Sequence, residues 1–152
     1  TPSEKKSAAP VIDYSIEVSD IKLEVTCVSM GNPHAIAFLD SPVDDFPLER
    51  IGPLMETHPA FPEKVNFSIV NHLNRTHLRS RVWERGAGMT MACGTGAAAQ
   101  TVAARIKGLI EDDIQVELPG GTLKITWDGH SSVFMEGPAT EVFHGKWPDQ
   151  NK

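Results

Sequence analysis

The sequence predicts an α+β fold in which a curved, mostly antiparallel, barrel-like sheet wraps around one central apolar helix. Many short segments alternate polar and apolar residues with the two-residue period of strands. Turns that contain glycine separate several of these segments, as in hairpins. Residues 94–107 are apolar on nearly all sides, and such a helix requires burial on most of its surface.

Length and composition indicate one globular domain. The 152 residues suit a single domain, and 40% of them are hydrophobic, which is enough for a core. Residues 1–10 are polar and aperiodic, which predicts a disordered lead-in. We therefore expect a folded domain over residues 11–147 and a tail over residues 148–152.

Charge and residue usage exclude several classes of function. The net charge of −6, without a Lys/Arg-rich run, argues against a nucleic-acid partner. No stretch has the length of a membrane span or the pattern of a signal peptide, so we expect a cytoplasmic protein without a membrane partner. Two cysteines and six scattered histidines predict no metal site.

The first elements follow from alternation and turn composition. Residues 11–29 alternate, which predicts two strands or one long bent strand. Residues 30–34 form a turn by composition, and residues 35–39 are a buried strand. Residues 47–56 are a helix candidate with proline in the first turn, which Gly52 and Pro53 are expected to shorten or kink.

The remaining strands form hairpins around the apolar helix. Residues 64–73 and 76–84 predict paired strands, with Val65, Phe67 and Ile69 on one face and Asn66 and Ser68 on the other. After the helix, Gly108 is the expected C-terminal cap. The later strands are predicted by alternation between glycine turns: residues 114–118, 123–127, 132–136 and a last short strand within residues 137–145.

The stretch from Arg85 to Ala99 is the candidate functional segment. A glycine-rich loop leads to Cys93, and a helix begins directly after it. The unpaired N–H groups of a helix start bind carboxylate or phosphate, here through Gly94 and Thr95. The same field is expected to lower the pKa of the Cys93 thiol. The alternative is a structural cysteine buried as a small hydrophobic residue.

Three segments together resemble the diaminopimelate epimerase family. They are residues 30–34 (Met-Gly-Asn-Pro-His), residues 83–88 (Trp-Glu-Arg-Gly-Ala-Gly) and residues 92–96 (Ala-Cys-Gly-Thr-Gly). Val65-Asn66-Phe67 lies between the first two, and the similarity extends over about residues 12–145. The resemblance implies the fold of that family and a cofactor-independent epimerase that converts LL-diaminopimelate to the meso form in lysine and cell-wall synthesis.

The resemblance also implies that a domain is missing. Members of the family have two similar domains, and each supplies one catalytic cysteine at the cleft between them. This chain looks like the C-terminal domain alone, so its expected partner is an N-terminal domain with the second cysteine. By itself the chain is expected to be inactive, and the intact protein is expected to be a homodimer.

Roles for individual residues follow from the resemblance. Cys93 is one member of a thiol/thiolate pair, and Glu84 exchanges its proton, which requires a dry cleft. His34 is paired with the cysteine of the missing domain. Arg85 clamps the distal carboxylate of the substrate. Two further residues look like ligands of the substrate's distal end: Asn32 and Asn66.

Two residues are interpreted apart from these roles. Cys27 lies on an alternating strand, so we expect it to serve packing. Met89 stands where the family usually has glutamate, so the resemblance does not determine the polar network of this loop.

Other functions stay open at this point. A diverged racemase, or a non-catalytic carboxylate-binding domain of the same fold, would also retain the helix start. A cysteine hydrolase would need a histidine within hydrogen-bond reach of Cys93. A dinucleotide site is disfavoured because the glycines lack the full fingerprint and its βαβ context.

Overall fold

The computed structural model of the chain describes residues 11–148, so the predictions for residues 1–10 and 149–152 lie outside it. It contains a nine-stranded sheet, two α-helices and a short 3₁₀ turn at Val43–Asp45. The strands are β1 (Val11–Val18), β2 (Ile21–Ser29), β3 (Pro33–Phe38), β4 (Asn66–Asn74), β5 (His77–Glu84), β6 (Gly88–Met89), β7 (Asp113–Leu118), β8 (Gly121–Thr126) and β9 (Phe134–Glu136). The helices are α1 (Leu48–Glu56) and α2 (Gly94–Ile106).

The sheet is mixed and open. Its strand order is β1-β2-β3-β4-β5-β7-β8-β9, and β6 pairs with β5 off this path. The pairs β3–β4 and β5–β7 are parallel, and the other pairs are antiparallel. The α+β fold with a mostly antiparallel sheet is confirmed, but the sheet does not close into a barrel.

Each face of the sheet carries one helix. Ala35 and Ala37 of β3 belong to the apolar cluster that contains α1, whereas Ile36 between them belongs to the cluster that contains α2. Since neighbouring side chains on a strand point to opposite faces, the two helices lie on opposite sides of the sheet. The two helices therefore pack on opposite faces of one sheet, and strand β4 contacts both of them.

Helix α2 forms for the predicted reasons. Its middle is rich in alanine, the best helix former, and is buried. Its end is closed by Gly108 at φ +71°, where Leu109 N donates to the Ala104 carbonyl at 3.0 Å. The predicted role of Gly108 at the end of the helix is thus confirmed. Neither helix in the described part of the chain is long and apolar enough to cross a membrane.

Several local predictions require correction. Pro33 and His34 belong to strand β3 and not to a turn. Helix α1 continues through Pro53 to Glu56 without being shortened. No strand forms within residues 137–148, where Val142 and Phe143 are 88% and 82% exposed, because no neighbouring strand pairs with this segment in the described chain.

The other strand predictions are confirmed. Residues 11–29 form two antiparallel strands, and β4 pairs with β5 as expected. The alternation predicted for residues 65–69 is confirmed, with Val65, Phe67 and Ile69 in the apolar cluster of α1; Asn66 and Ser68 on the other face are buried as well. The three strands after α2 pair in sequence. Strand β6, which the sequence did not predict, is only two residues long and pairs with the end of β5.

Gly52 determines how closely α1 approaches the sheet. A Cβ atom at this position would lie 2.5 Å from Cδ2 of the Trp83 ring. We expect Gly52→Ala to destabilise the chain by about 2 kcal/mol through overpacking, although alanine favours a helix by about 1 kcal/mol over glycine. Urea unfolding of this variant, with the exposed Glu49→Ala as control, measures the effect. A Gly52→Ala chain at least as stable as the wild type would contradict the packing.

Candidate functional site

Cys93 lies at the N-terminal cap of α2. Its backbone is extended, with φ −139° and ψ 107°, and its Sγ accepts a hydrogen bond from Gly96 N at 3.3 Å. A Cβ at Gly96 would lie 3.1 Å from this sulfur, so glycine permits the close approach. The N–H groups of Gly94 and Thr95 have no acceptor within the helix. The sulfur therefore sits beside two backbone donors that remain available to an anion.

The pKa of Cys93 departs from the expectation. Burial raises the pKa of the thiol above its ordinary value, and Glu84 adds to the rise. The hydrogen bonds from Gly96 N–H and from Thr95 lower the pKa, but by less than burial raises it. The predicted lowering of the Cys93 pKa is therefore wrong for the described chain. Only 7% of Cys93 is exposed, and the loss of solvation raises the pKa by more than the helix start lowers it. The residue rests as a protonated thiol.

Glu84 ends strand β5 and is half-buried. Its Oε1 accepts a hydrogen bond from Thr90 Oγ1 at 2.5 Å. Its negative charge adds to the rise in the pKa of the Cys93 thiol, so the carboxylate lies in the neighbourhood of the sulfur. A carboxylate beside a thiol gives the site a pair of groups that can exchange a proton.

His34 is almost fully buried in β3, with 1% exposed. Its Nε2 hydrogen-bonds Asn32 Oδ1 at 3.0 Å, and its Nδ1 has no partner within the described chain. Burial lowers the pKa of His34 to about 4; Glu84 opposes the shift and Arg85 reinforces it. The imidazole is therefore neutral at pH 7, and its Nδ1 is an unprotonated acceptor when Nε2 carries the hydrogen.

This shift predicts a pH-dependent stability. Between pH 6.5 and 4, His34 is protonated in the unfolded chain but stays neutral in the folded chain. The free energy of unfolding therefore falls as the pH falls. The loss should reach about 3 kcal/mol at pH 4. Urea unfolding from pH 7 to pH 4 tests this against His34→Gln, which should lose less stability over the same range. Parallel curves for the two chains would contradict a buried neutral imidazole.

A hydrogen-bonded chain connects His34 to Cys93. Asn32 Nδ2 donates to Thr95 Oγ1 at 3.3 Å, and Thr95 Oγ1 lies 3.7 Å from Cys93 Sγ. Since the Asn32 amide donates to the Thr95 oxygen, the Thr95 hydroxyl hydrogen is free to point at the sulfur. The structure thus brings four of the predicted site residues together in one network.

Asn66 and Arg85 are joined through the backbone. Asn66 Oδ1 accepts from Arg85 N at 2.9 Å, and its Nδ2 donates to the Pro33 carbonyl at 3.0 Å. The Arg85 guanidinium is exposed and donates to the Glu63 carbonyl at 2.9 Å. It forms no ion pair within residues 11–148. Arg85 therefore presents a cation that a carboxylate ligand can reach.

Cys27 and Met89 lie outside this network. Cys27 packs against the apolar cluster on the α1 face, as predicted. Met89 is 41% exposed, and its sulfur lies 2.9 Å from Arg81 Nη2. The hydrogen bond between Thr90 and Glu84 forms with methionine at residue 89. The hydrolase alternative loses support, because the hydrogen-bond partners of Cys93 in the described chain are Thr95 and Gly96 and include no histidine.

Two residues of the site were not identified from the sequence. Thr90 holds the Glu84 carboxylate, and Glu56 of α1 hydrogen-bonds the backbone of the loop that follows Glu84. The sequence does contain a signal for Glu56: it is a charged residue on the face of α1 that carries the apolar residues Ile51 and Met55, one helical turn after Gly52. Its partners Trp83 and Gly86 lie 27 and 30 residues further along the chain, so identifying them requires the fold.

The fold and the site define a class of protein. The described residues form an open α+β domain in which a buried cysteine at a helix start shares its surroundings with a carboxylate. An arrangement of this kind can bind an anion at the helix start and exchange a proton between a thiol and a carboxylate.

The comparisons identify the family. A family model described as diaminopimelate epimerase matches residues 26–142. The diaminopimelate epimerase of Leptospira biflexa is 49% identical over 141 residues, which cover 93% of this chain and 50% of the relative. The enzyme of the same name from Acetivibrio thermocellus is 51% identical over 132 residues, covering 86% and 47%. The chain belongs to the diaminopimelate epimerase family.

The extent of the match adds two facts. The chain spans about half the length of the curated relatives it matches. Among solved structures, a phenazine biosynthesis protein of the PhzF family from Bacillus anthracis has a TM-score of 0.51 at 22% identity, covering 80% of this chain and 40% of that one. This likeness shows a shared fold.

Proposed function

We propose that this chain is the C-terminal half of a cofactor-independent diaminopimelate epimerase that interconverts the LL and meso forms. The observation that carries the proposal is the position of Cys93 Sγ at the start of α2, beside the free N–H groups of the helix, where the charge of Glu84 acts on the thiol. Epimerisation at an α-carbon requires a base on one face and an acid on the other. Because its pKa is raised, the Cys93 thiol is protonated and suits the role of the acid.

In the proposed reaction a thiolate from the other half removes the α-proton from one face. The Cys93 thiol delivers its proton to the opposite face, so the configuration inverts and the thiolate and thiol exchange roles. Glu84 and the Thr95 hydroxyl lie beside the sulfur and adjust its protonation for the next turnover. The substrate α-carboxylate docks on the N–H groups of Gly94 and Thr95, which stabilise charge that spreads into it from the carbanion.

The distal end of the substrate has its own proposed ligands. Arg85 offers an exposed guanidinium without an ion pair in the described chain, which suits the distal carboxylate. Asn32 hydrogen-bonds Thr95, Asn66 hydrogen-bonds the Arg85 backbone, and both amides keep further hydrogen-bonding capacity. Together these groups favour a diamino-diacid over a simple amino acid. This reaction assigns the chain a role in lysine and cell-wall synthesis in the cytoplasm.

The site is proposed to need a second half. We assign His34 to the cysteine of the missing N-terminal domain; its Nδ1 is buried and has no partner in the described chain. Met91 and Met135 are 64% and 54% exposed, and the Met135 side chain lies over Gly94. An apolar rim around a half-site suits coverage by another domain, which would also exclude water. We propose a homodimer for the intact protein.

Reconstitution tests this proposal. The joined protein is defined here as this chain fused after the half of the Leptospira biflexa relative that it does not match. We expect it to convert LL-diaminopimelate to the meso form, and each half alone to be inactive. Chiral chromatography of the reaction mixture measures the conversion. A folded joined protein without epimerase activity would overturn the function, and an active isolated chain would overturn the need for a second half.

A further inference from the structure

The Glu56 carboxylate is a buried charge that the proposed reaction does not use. It lies at the end of α1 with 8% of the residue exposed. Three donors reach it: Trp83 Nε1 at 2.9 Å, Gly86 N at 3.1 Å and Lys64 Nζ at 3.4 Å. Burial of a carboxylate is energetically unfavourable unless the carboxylate is hydrogen-bonded, and Glu56 accepts hydrogen bonds from these three donors.

The two shorter contacts of Glu56 flank the proposed site residues. Trp83 precedes Glu84, and Gly86 follows Arg85, so one carboxylate binds the chain on both sides of that pair. Gly86 has φ +79°, a backbone conformation that glycine adopts at little cost. The carboxylate thus fixes the point where strand β5 ends and the loop begins.

Three consecutive backbone N–H groups of this loop have fixed acceptors. Arg85 N donates to Asn66 Oδ1, Gly86 N donates to Glu56 Oε1, and Ala87 N donates to the Glu84 carbonyl. Of these acceptors, the Glu56 carboxylate alone carries a charge, and hydrogen bonds to charged groups are about twice as strong as neutral ones.

The position of α1 itself is set by the same tryptophan. The Trp83 ring packs directly on Gly52, one helical turn before Glu56. A single side chain therefore contacts α1 through its ring face and through its indole N–H. Glu56 remains ionised at neutral pH, since the Trp83 hydrogen bond, with help from Gly86 and Lys64, holds its pKa below the ordinary value despite burial.

We infer that Glu56 is a positioning residue that fixes the Glu84–Arg85 segment from the opposite side of the sheet. The inference rests on the proposed function for its catalytic consequence. Its ion pair with Lys64 does not account for the arrangement, because the Lys64 side chain is 55% exposed and makes the longest of the three contacts. The shorter contacts go to the segment that carries the site.

Glu56→Gln in the joined protein tests the inference. Glutamine keeps the shape of glutamate, but its amide –NH₂ cannot accept a hydrogen bond, so the Trp83 or the Gly86 donor loses its partner. We expect kcat/KM to fall about 10- to 100-fold, as displacements of site residues do. Glu49→Gln makes the same change at an exposed position of α1, and we expect wild-type kinetics for it.

Amide hydrogen exchange separates positioning from general loss of structure. In Glu56→Gln the Gly86 amide should exchange at least about 10-fold faster, whereas the Leu109 amide, bonded to Ala104 at the far end of α2, should be unchanged. If Glu56→Gln fails to fold, Trp83→Phe removes one donor and keeps a ring over Gly52. We then expect an intermediate loss of kcat/KM at an unchanged Leu109 exchange rate.

The outcomes distinguish the two proposals. Wild-type kcat/KM and wild-type Gly86 exchange in Glu56→Gln, or in Trp83→Phe where that variant is used, would overturn the positioning role. An unvaried joined protein that lacks epimerase activity would overturn the proposed function instead. In that case Gly86 exchange alone decides whether Glu56 fixes the segment.

Discussion

Replacing Cys93 with alanine in the joined protein is expected to lower kcat for epimerisation by at least about 10³-fold, with KM changed by less than about threefold. Alanine removes the only proton donor that we assign to this face of the α-carbon. The N–H groups of Gly94 and Thr95 stay in place, so substrate binding should persist. Initial rates over a range of LL-diaminopimelate concentrations separate kcat from KM.

Cys27→Ala is the matched control for this experiment. Cys27 packs against the apolar cluster on the α1 face, so its loss should cost some stability and leave kcat unchanged. If Cys93→Ala retained a tenth or more of the wild-type kcat, Cys93 could not be the acid. Equal losses in both variants would point to a general disturbance of the fold.

Glu84→Gln is expected to give the second largest effect, a fall in kcat of about 10²- to 10³-fold. Glutamine retains an oxygen that can accept from Thr90 Oγ1, so the side chain should keep its place while losing its charge. The Cys93 thiol then lacks the neighbouring carboxylate that exchanges its proton. The rate measured from pH 6 to pH 9 should be low throughout.

Glu24→Gln removes one exposed carboxylate from β2 and serves as control for the change in net charge. It should epimerise at the wild-type rate. A Glu84→Gln protein with the kinetics of Glu24→Gln would show that the charge at residue 84 is not needed, and the assignment of Glu84 would be abandoned.

Local sequence signals predicted the elements that depend on neighbouring residues. The helical propensity of alanine predicts α2, and the conformational freedom of Gly108 predicts where the helix ends. The alternation of polar and apolar residues predicts the β4–β5 hairpin. Cys93 at the helix start follows in the same way. Each of these features is determined within one short continuous stretch of chain.

Features that depend on distant residues were missed or wrong. The raised pKa of Cys93 comes from burial under the completed fold, which outweighs the local effect of the helix start. His34 belongs to β3 because it pairs with Val28 on β2 and with Asn66 on β4. The contacts of Glu56 join α1 to a loop about thirty residues later. No pattern within a short window carries this information.

The segment within residues 137–145 illustrates the opposite failure. Its composition predicted a short strand, but a strand requires a partner with free backbone groups. Within the described chain this segment pairs with no strand, although β9 directly before it is an edge strand, and Val142 and Phe143 stay exposed. Strand propensity alone is therefore insufficient where pairing is absent.

Deuterium incorporation from solvent tests the central claim most directly. When the joined protein acts on LL-diaminopimelate in D₂O, a thiol on one face and a thiolate on the other predict deuterium in the meso product at early times, while the remaining LL substrate stays unlabelled. Rapid labelling of the remaining substrate, or labelling at the wild-type rate by Cys93→Ala, would contradict the account.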